Sequence, residues 1–590
     1  MKQAIIGQQA YKQNYEQVLS VFNAKNKNDL MKQLFISLSF ILFLGFSSCG
    51  DYLDTVPGDK LDDNALWLNP SLVEGYVFHI YQGIPYPYQW YMSASLVDEA
   101  VPIQNDGVVT KVVTSTMTPD DQGVFANNWA ASMENWWWKS AYSNIRSCNM
   151  FFEKIDQTKF TDDSYKQQLI GEVHFLRGYF YSLLMTQYGG VPLIDKVMNV
   201  GDSYEIPRNT FEETINFIIS DFDAAISDGK LSNQTDKTRA TEGAVYAMKS
   251  RVLLYAASDL HHSTSWQDGY AHPELVGYTT DNKKTLFTAA KAAAAKVMTF
   301  GYNLYDVNPD KAANFQELFL QMSSIEQIFI TQYDKVNTPY YATDWVAWVC
   351  GTPSYGGWGL NQVTANLADA FENSDGSTFN INAQSANPYS NRDPRFDGTI
   401  LHNGSSWFYN SWGSLSPTTI DITQGPDYKD GGSTGYYIKK FISNKDNENT
   451  WYYGSRQPQP YIQIRYAEVL LNYAEACIGL REDDNARTAL NLIRKRAGMP
   501  DINESGAALV TRYRNERRVE LAWEGHRLWD VRRWMIGSEG YANARGVKME
   551  NNAYTEFDFE TRAWKNSHYL IPIPRSEMNK NSALIQNPGY

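Results

Sequence analysis

Cysteine is scarce: four in 590 residues, at positions 49, 148, 350 and 477. Cys148, Cys350 and Cys477 form no metal-like spacing, and their odd number gives no disulfide framework, so size and core must hold the fold. An excess of positive charge is also missing. The formal net charge is −14, the wrong sign for a nucleic-acid backbone. Long apolar runs are nearly absent; the stretch Leu34–Phe46 falls short of the roughly 20 residues that span a bilayer. The chain has no phosphate-binding loop, no G-x-S-x-G elbow and no dinucleotide fingerprint. It does have aromatics, with 17 Trp, 39 Tyr and 27 Phe, and 43% hydrophobic residues overall. That content excludes a disordered chain.

The apolar stretch follows Lys32 and runs into Ser47, Ser48 and Cys49. Read from Met31, "MKQLFISLSFILFLGFSSC" has the layout of a bacterial lipoprotein signal, apart from Phe46 where such signals usually carry Leu. The expectation is an upstream artefact or disordered segment over 1–30, a signal peptide over 31–48, and a lipid-attached tether over 49–60. Cys49 would carry the acyl group. The competing reading is an ordinary secretion signal with an incidental cysteine. Asp51 and Asp54 add an acidic flank, which suits surface export and equally suits a solvated tether.

Beyond the tether the dominant signal is helical. In "GEVHFLRGYFYSLLMTQYGGVPLI" (171–194), Val173, Leu176, Phe180, Leu183 and Leu184 make one stripe, ended by Gly189, Gly190 and Pro192. Residues 240–258 repeat the pattern with Val245, Met248, Val252 and Tyr255. Near the C-terminus, Ala467, Leu470, Leu471, Ala474, Cys477 and Ile478 line one helix. Ala486, Leu490, Ile493 and Ala497 line the next, closing at Gly498 and Pro500. Such a pair resembles a tetratricopeptide unit of about 34 residues. No convincing alternating strand is visible. Residues 85–125 and 335–460, rich in Gly, Asn, Ser, Pro and aromatics, are too long for connectors and read as functional insertions. The expected architecture is therefore mostly α, a tetratricopeptide-like helical-pair scaffold with aromatic-rich insertions, forming a single domain over 61–590.

The segments 171–194, "RATEGAVYAMKSRVLLYAASDL" (239–260), "IQIRYAEVLLNYAEA" (462–476), "ERRVELAWEGHRLWDVRRW" (516–534) and "YLIPIPRSEMNKNSALIQNPGY" (569–590) together resemble the SusD/RagB family of outer-membrane nutrient-binding lipoproteins of the Bacteroidetes. "CGDYLD" and "NRDPRFDGTIL" (391–401) fit as well. The resemblance implies a SusD-like fold and a non-enzymatic protein, exposed on the cell surface and anchored through its N-terminal lipid. Such a protein captures oligosaccharides, or in some members peptides or another nutrient, for a partner SusC-like TonB-dependent transporter.

Sugar rings have polar edges and apolar faces, so their binders use Trp and Tyr as platforms with amides or carboxylates for the hydroxyls. The first choice is Trp345, Trp348, Tyr355 and Trp358, set among glycines in "YYATDWVAWVCGTPSYGGWGL" (340–360). Trp90 in "PYPYQWYM" (85–92), with Asn105 and Asp106, is the second, and "WFYNSW" (407–412) is a further aromatic cluster. The alternative for each ring is simple packing of an insertion onto the scaffold. "NWWWKSAY" (135–142) is read as core, because consecutive helical residues point about 100° apart.

A different class, a secreted glycoside hydrolase, would need a carboxylate pair. Glu516, Glu520 and Glu524 recur every four residues, but Arg517, Arg518 and Arg527 around them predict salt bridges within the scaffold. His261, His262, His272 and Asp259 match no standard zinc pattern and read as a polar loop. No cofactor or metal ligand is assigned, and a structural Ca²⁺ among loop oxygens has no placed site.

Overall fold

A computed structural model describes residues 63–85, 92–104, 107–121, 138–233, 236–333, 346–411, 414–428, 432–443 and 459–590. The short helix Asp63–Leu68 closes one unit of the chain, and residues from Asn69 to Tyr590 form a second. The protein is mostly helical, 46% helix against 11% strand.

Eleven helices of the second unit carry the account below: α1 Pro70–Tyr81, α2 Trp138–Lys154, α3 Asp163–Tyr188, α4 Phe211–Ile226, α5 Glu242–Ala256, α6 Lys283–Val297, α7 Lys311–Leu320, α8 Tyr466–Gly479, α9 Asp483–Ala497, α10 Gly506–Glu520 and α11 Arg527–Arg533. They pack as neighbouring pairs, α3 on α4, α5 on α6 and α8 on α9, with α6 also against α8. Among the described residues no helix is long and apolar enough to cross a membrane.

Helix α3 shows how sequence produces this packing. Asp162 caps its N-terminus by accepting from the Ser164 and Tyr165 amides, which satisfies donors that the first turn leaves unpaired. Gly189 ends it with φ +81°, a left-handed conformation that costs glycine little. A Cβ at Gly171 would stand 2.7 Å from the Ala225 carbonyl oxygen, and one at Gly178 would stand 2.7 Å from the Phe222 ring. These two glycines thus let α4 lie close along α3. The sequence predicts a single stripe here; in the structure most of the helix from Leu169 to Tyr188 is buried, with Leu183 only partly so. A helix covered on several sides by α1, α2, α4 and α5 needs apolar residues all round. Arg177 ties three elements together, donating to Asp221 on α4 at 2.8 Å and to Asn149 on α2 at 2.9 Å. Trp138 and Ile145 are buried on α2, in line with the core reading of that segment; Asn135, Trp136 and Trp137 lie outside the described residues.

The pair α8 and α9 follows its predicted faces. Ala467, Leu470, Leu471, Ala474 and Cys477 are buried opposite Ala486, Leu490, Ile493 and Ala497, and Gly498 ends α9 at φ +75°. Ile478 is only partly covered. Cys148, Cys350 and Cys477 are free and buried.

Strands that the sequence did not reveal occur as two-stranded antiparallel ribbons. Strand β1 Ala100–Pro102 pairs with β3 Asn361–Val363, β2 Gln327–Tyr333 with β8 Gln459–Arg465, and β4 Ile400–Leu401 with β7 Tyr437–Ile438. Two more are hairpins, β5 Ser406–Ser411 with β6 Ser414–Thr419 and β9 Ala544–Glu550 with β10 Ala553–Glu560. Asn551 and Asn552, both at positive φ, form the two-residue turn of the latter, where asparagine is well tolerated. Strands β1, β3, β4 and β7, of two or three residues, are too short to show a period of two, and the longer β9 and β10 do not alternate cleanly between buried and exposed positions. Phe371, Phe396, Tyr355, Trp407, Tyr437 and Phe441 of the insertion gather in an apolar core to which Phe315, Phe319 and Trp523 of the scaffold also belong.

Candidate functional site

The segment 346–360 folds on itself. A π-helical turn, Val346–Cys350, leads into a loop whose backbone returns across it. Trp358 donates its amide to the Trp348 carbonyl at 2.7 Å, Gly359 to Gly351 at 2.9 Å, and Leu360 to Val349 at 2.6 Å. Glycine is required where strands of chain meet this closely: a Cβ at Gly357 would stand 2.3 Å from the Gly351 oxygen, and one at Gly351 would stand 2.2 Å from the Ala347 oxygen. The fold places Trp348 and Trp358 edge to face, ring centroids 4.8 Å apart at 66°. Trp348 rests against the insertion core while Trp358 is 42% exposed.

Two further segments are tied to this loop. The Asn410 amide on β5 donates to the Ser354 carbonyl at 3.1 Å. The Ser354 amide donates to the buried Asp427 carboxylate at 2.9 Å, and the Tyr437 hydroxyl to the Asp427 carbonyl at 2.8 Å. Burial raises the Asp427 pKa above the ordinary aspartate value. Next to these anchors, Tyr409 is 51% exposed and Tyr428 is 42% exposed. Three large rings thus reach solvent from segments held in one hydrogen-bonded knot. Fixed rings lose little rotamer freedom on meeting an apolar surface.

The expected platform is corrected at Tyr355. Its residue exposure is 0%, its hydroxyl donates to the Ser443 carbonyl at 2.7 Å, and its ring lies 5.7 Å from Trp407. Burial drives its phenol pKa upward. The same glycines that carry Trp358 outward turn Tyr355 in, because the loop has an inner and an outer side. Trp345, Trp90, Asn105, Asp106 and Cys49 lie outside the described residues. Tyr409 lay within a quoted aromatic cluster without being singled out. Tyr428 was missed; "GPDYKD" carries one aromatic, and nothing in it signals exposure.

Glu516 and Glu520 on α10 and Glu524 in the turn that follows it are paired, but with other partners than the sequence suggests. Glu516 accepts from Arg395 at 2.5 Å and from Arg494 at 3.0 Å. Glu520 accepts from Arg465 at 2.6 Å, from Arg395 at 2.9 Å and from Arg496. Glu524 accepts from Arg465 and from Lys440, both at 2.7 Å. Arg517 binds Asp530 at 2.8 Å, while Arg527 and Arg518 bind Asp98 at 2.8 and 2.9 Å. Adjacent helical residues diverge by about 100°, so Glu516 and Arg517 serve different sides of α10. Burial alone would raise the Glu520 pKa; the field of Arg496, Arg465 and Arg395 overrides it and holds the carboxyl well below its ordinary range. Glu516 and Glu524 are lowered in the same way. Carboxylates kept ionised by arginine make poor general acids.

His261 is stacked on Phe211 with centroids 4.0 Å apart and donates Nδ1–H to the Val276 carbonyl. Burial lowers its pKa to about 4, which keeps it neutral. His262 bonds the Ala256 carbonyl, His272 stands near Glu274, and Asp259 pairs with Lys283 at 2.6 Å. These four residues have separate structural partners. Among the described residues no group of three His, Cys, Asp or Glu side chains converges to hold a metal ion.

Comparison with known proteins agrees with this architecture. A family model described as "SusD family" matches residues 325–590, and one described as "Starch-binding associating with outer membrane" matches residues 51–254. A SusD-like protein of Bacteroides fragilis of known crystal structure is 31% identical, with TM-score 0.75, covering 91% of this chain and 100% of its own. A SusD-like carbohydrate-binding protein from the same species is 23% identical at TM-score 0.68, covering 88% of this chain and 100% of its own. SusD-like protein P38 of Formosa agariphila is 22% identical over 566 residues, covering 92% of this chain and 98% of that protein. The mostly helical frame, its aromatic insertion and these matches lead to one conclusion: the chain belongs to the SusD/RagB family.

Proposed function

We propose that this protein is a glycan-binding lipoprotein of the outer membrane, which captures oligosaccharides at the cell surface and delivers them to a partner SusC-like TonB-dependent transporter. The observation that carries the reading is the exposed Trp358 ring, braced by Trp348 on a loop whose backbone is fixed by its own hydrogen bonds. A flat ring held in place meets the C–H face of a pyranose without first having to be ordered. Tyr409 and Tyr428 on the tied segments provide further faces. The similarity to a protein described as carbohydrate-binding supports the ligand class, and a family description that mentions the outer membrane supports the location. The commitment of Glu516, Glu520 and Glu524 to basic side chains supports binding without catalysis.

Two or three rings and a few hydrogen bonds give affinities of about −4 to −8 kcal/mol, millimolar to micromolar, weak enough for release to a transporter. Calorimetry of the purified protein against plant, microbial and host oligosaccharides tests this. Saturable binding with every oligosaccharide recovered intact is expected. Shortened products would replace the reading with a hydrolase, and peptide binding with no glycan binding would replace it with peptide capture. The anchor is tested separately by radioactive palmitate, which should label wild type and not Cys49→Ala. Co-purification of the transporter from membranes tests the partner.

A further inference from the structure

The β9–β10 hairpin is seated on the insertion by contacts of several kinds. The Asn366 side chain accepts from the Arg545 amide at 2.8 Å and donates to the Asn543 carbonyl at 3.0 Å. The Val547 amide donates to the Thr434 carbonyl at 2.8 Å, and the Tyr554 hydroxyl accepts from Asn403 at 2.8 Å. The remaining contact runs through the Arg545 guanidinium. One of its terminal nitrogens bonds Asp369, which follows the short helix Ala365–Ala368 of the insertion, at 2.7 Å. The other bonds Glu556 of β10.

A planar fork of this type sets two carboxyls side by side, close enough here for a hydrogen bond between them once one is protonated. Arg545 uses one oxygen of each. The other two, Asp369 Oδ1 and Glu556 Oε1, are buried and have no hydrogen-bond partner among the described residues. Ionised carboxylates are acceptors only, so with both ionised these two oxygens stay unsatisfied, and one guanidinium offsets only one of the two charges. A single proton mends both faults, because it supplies the missing donor and cancels the second charge.

The surrounding groups are committed elsewhere. Arg392 gives its guanidinium to the carbonyls of Pro388, Ala368 and Phe371. Tyr436 lies near both carboxyls, and burial raises its phenol pKa so that it carries no charge. On β9, Lys548 pairs with Glu550 at 2.8 Å; on β10, Asp558 accepts from Asn543 at 3.1 Å and Glu560 from Arg562 at 2.8 Å. His402 of the insertion is stacked on Tyr389 and bonds Asp397 at 3.0 Å. Burial and the Asp369 charge raise the Glu556 pKa from 4.5 to about 7, against the opposing pull of Arg545.

We infer that Asp369 and Glu556 share one proton, and that this proton is a latch holding the hairpin on the insertion, released as the medium turns alkaline. Opening the hairpin returns Glu556 to water and to its ordinary pKa, so between about pH 4.5 and 7 the closed hairpin holds a proton that the open one lacks. Closure is therefore strengthened about tenfold for each pH unit below 7, down to 4.5, and gains nothing from this pair above 7. The latch uses none of the residues of the glycan reading and stands or falls apart from it.

Hydrogen–deuterium exchange of the full-length protein at about pH 5.5 and pH 8 tests it, read on peptides covering 544–560 and corrected for the intrinsic rate of free amides at each pH. The open fraction of the wild-type hairpin should rise about tenfold or more at the higher pH. Glu556→Gln keeps an acceptor for Arg545 and sets a permanent N–H donor against Asp369, so its hairpin should stay protected at pH 8 and lose the pH difference. This variant leaves His402 and Asp558 in place, so a difference arising from them would persist in it. Asp369→Asn makes the same exchange from the other side and decides in its place if Glu556→Gln does not fold. Equal protection of the wild-type hairpin at both pH values, or a pH difference that survives in the variant, overturns the latch.

Discussion

The helical scaffold and the aromatic insertion use similar residues for opposite ends. On α3 and α5, Tyr181, Tyr188 and Tyr255 are buried and hold helices together; in 346–428, Trp358, Tyr409 and Tyr428 face solvent. What differs is the backbone beneath. A helix packed on several sides leaves a ring no outward direction, whereas a self-bonded loop or hairpin has a free side. Where the two regions meet, apolar packing that includes Phe315, Phe319 and Phe396 is joined by ions: Arg395 and Lys440 of the insertion reach Glu516, Glu520 and Glu524 of the scaffold. Buried charge demands specific partners, so it fixes how the regions register more than it adds stability.

The most damaging test of that comparison is Glu520→Ala. It leaves Arg395, Arg465 and Arg496 short of a shared acceptor, and breaking a buried pair costs about 3–5 kcal/mol. Urea denaturation should show the midpoint fall accordingly; a shift of a few tenths would mean the network is not structural. Acid should act on the same type of contact. Glu475 is bound by Arg533 at 2.6 Å; burial pushes its pKa up, but Arg533 outweighs that and lowers it from 4.5 to about 2. A depressed folded pKa contributes stability that is complete above the unfolded value and disappears as pH falls toward the folded one. Stability should therefore hold down to about pH 5 and decline steeply below pH 4.5 toward 2, as a pH series of thermal melts would show.

Next in size is Gly178→Val on α3. Its Cβ would press on Phe222, an aromatic ring that α4 holds in the core, and overpacking of this type costs about 1–3 kcal/mol. The same change at Gly75 on α1, where a Cβ meets nothing within 4 Å, removes helix-interior glycine at little cost. Melting temperatures of the two variants should diverge; equal values would show that α3 and α4 are not closely packed.

Much of the scaffold was legible in the sequence, and particular residues show why. Gly189 and Gly498 end helices where a glycine followed a periodic run, and Leu490 and Ile493 face inward as their spacing implies. Helical periodicity is a local signal, so the chain announces it. The α10 ion pairs were legible in kind and not in partner: Arg395 and Arg465 are more than fifty residues from Glu520 in sequence, and no local pattern links them. The site was half legible. Glycines around Trp358 correctly implied a tight loop, but which ring the loop turns outward depends on its inner face, and Tyr355 and Trp358 are three residues apart with opposite fates.

Those two neighbours give the third test. Trp358→Ala should reduce oligosaccharide affinity by about 0.5–1.5 kcal/mol, up to roughly tenfold, with only a small fall in melting temperature because 42% of the residue is open to solvent. Tyr355→Phe should do the reverse, losing a buried hydrogen bond to Ser443 worth about 0.5–1.5 kcal/mol of stability while leaving affinity intact. If Trp358→Ala binds as wild type does, the exposed side of this loop is not the glycan surface.

The smallest effect closes the series and isolates what burial contributes. Lys249 on α5 and Asp223 on α4 stand 2.5 Å apart, as close as Arg395 and Glu516 in the α10 network, and they too join separate elements. Asp223 is more than half exposed, so water solvates either partner once the other is removed, and salt screens the pair. Lys249→Ala should therefore cost under about 1 kcal/mol, with a double-mutant cycle to Asp223→Ala giving a coupling that fades in molar salt. The Arg395 and Glu520 coupling, which joins the insertion to the scaffold, should persist in the same salt because both side chains are buried. Equal salt sensitivity of the two pairs would mean that the junction between insertion and scaffold is wet, and that its ions do not set the register of the two regions.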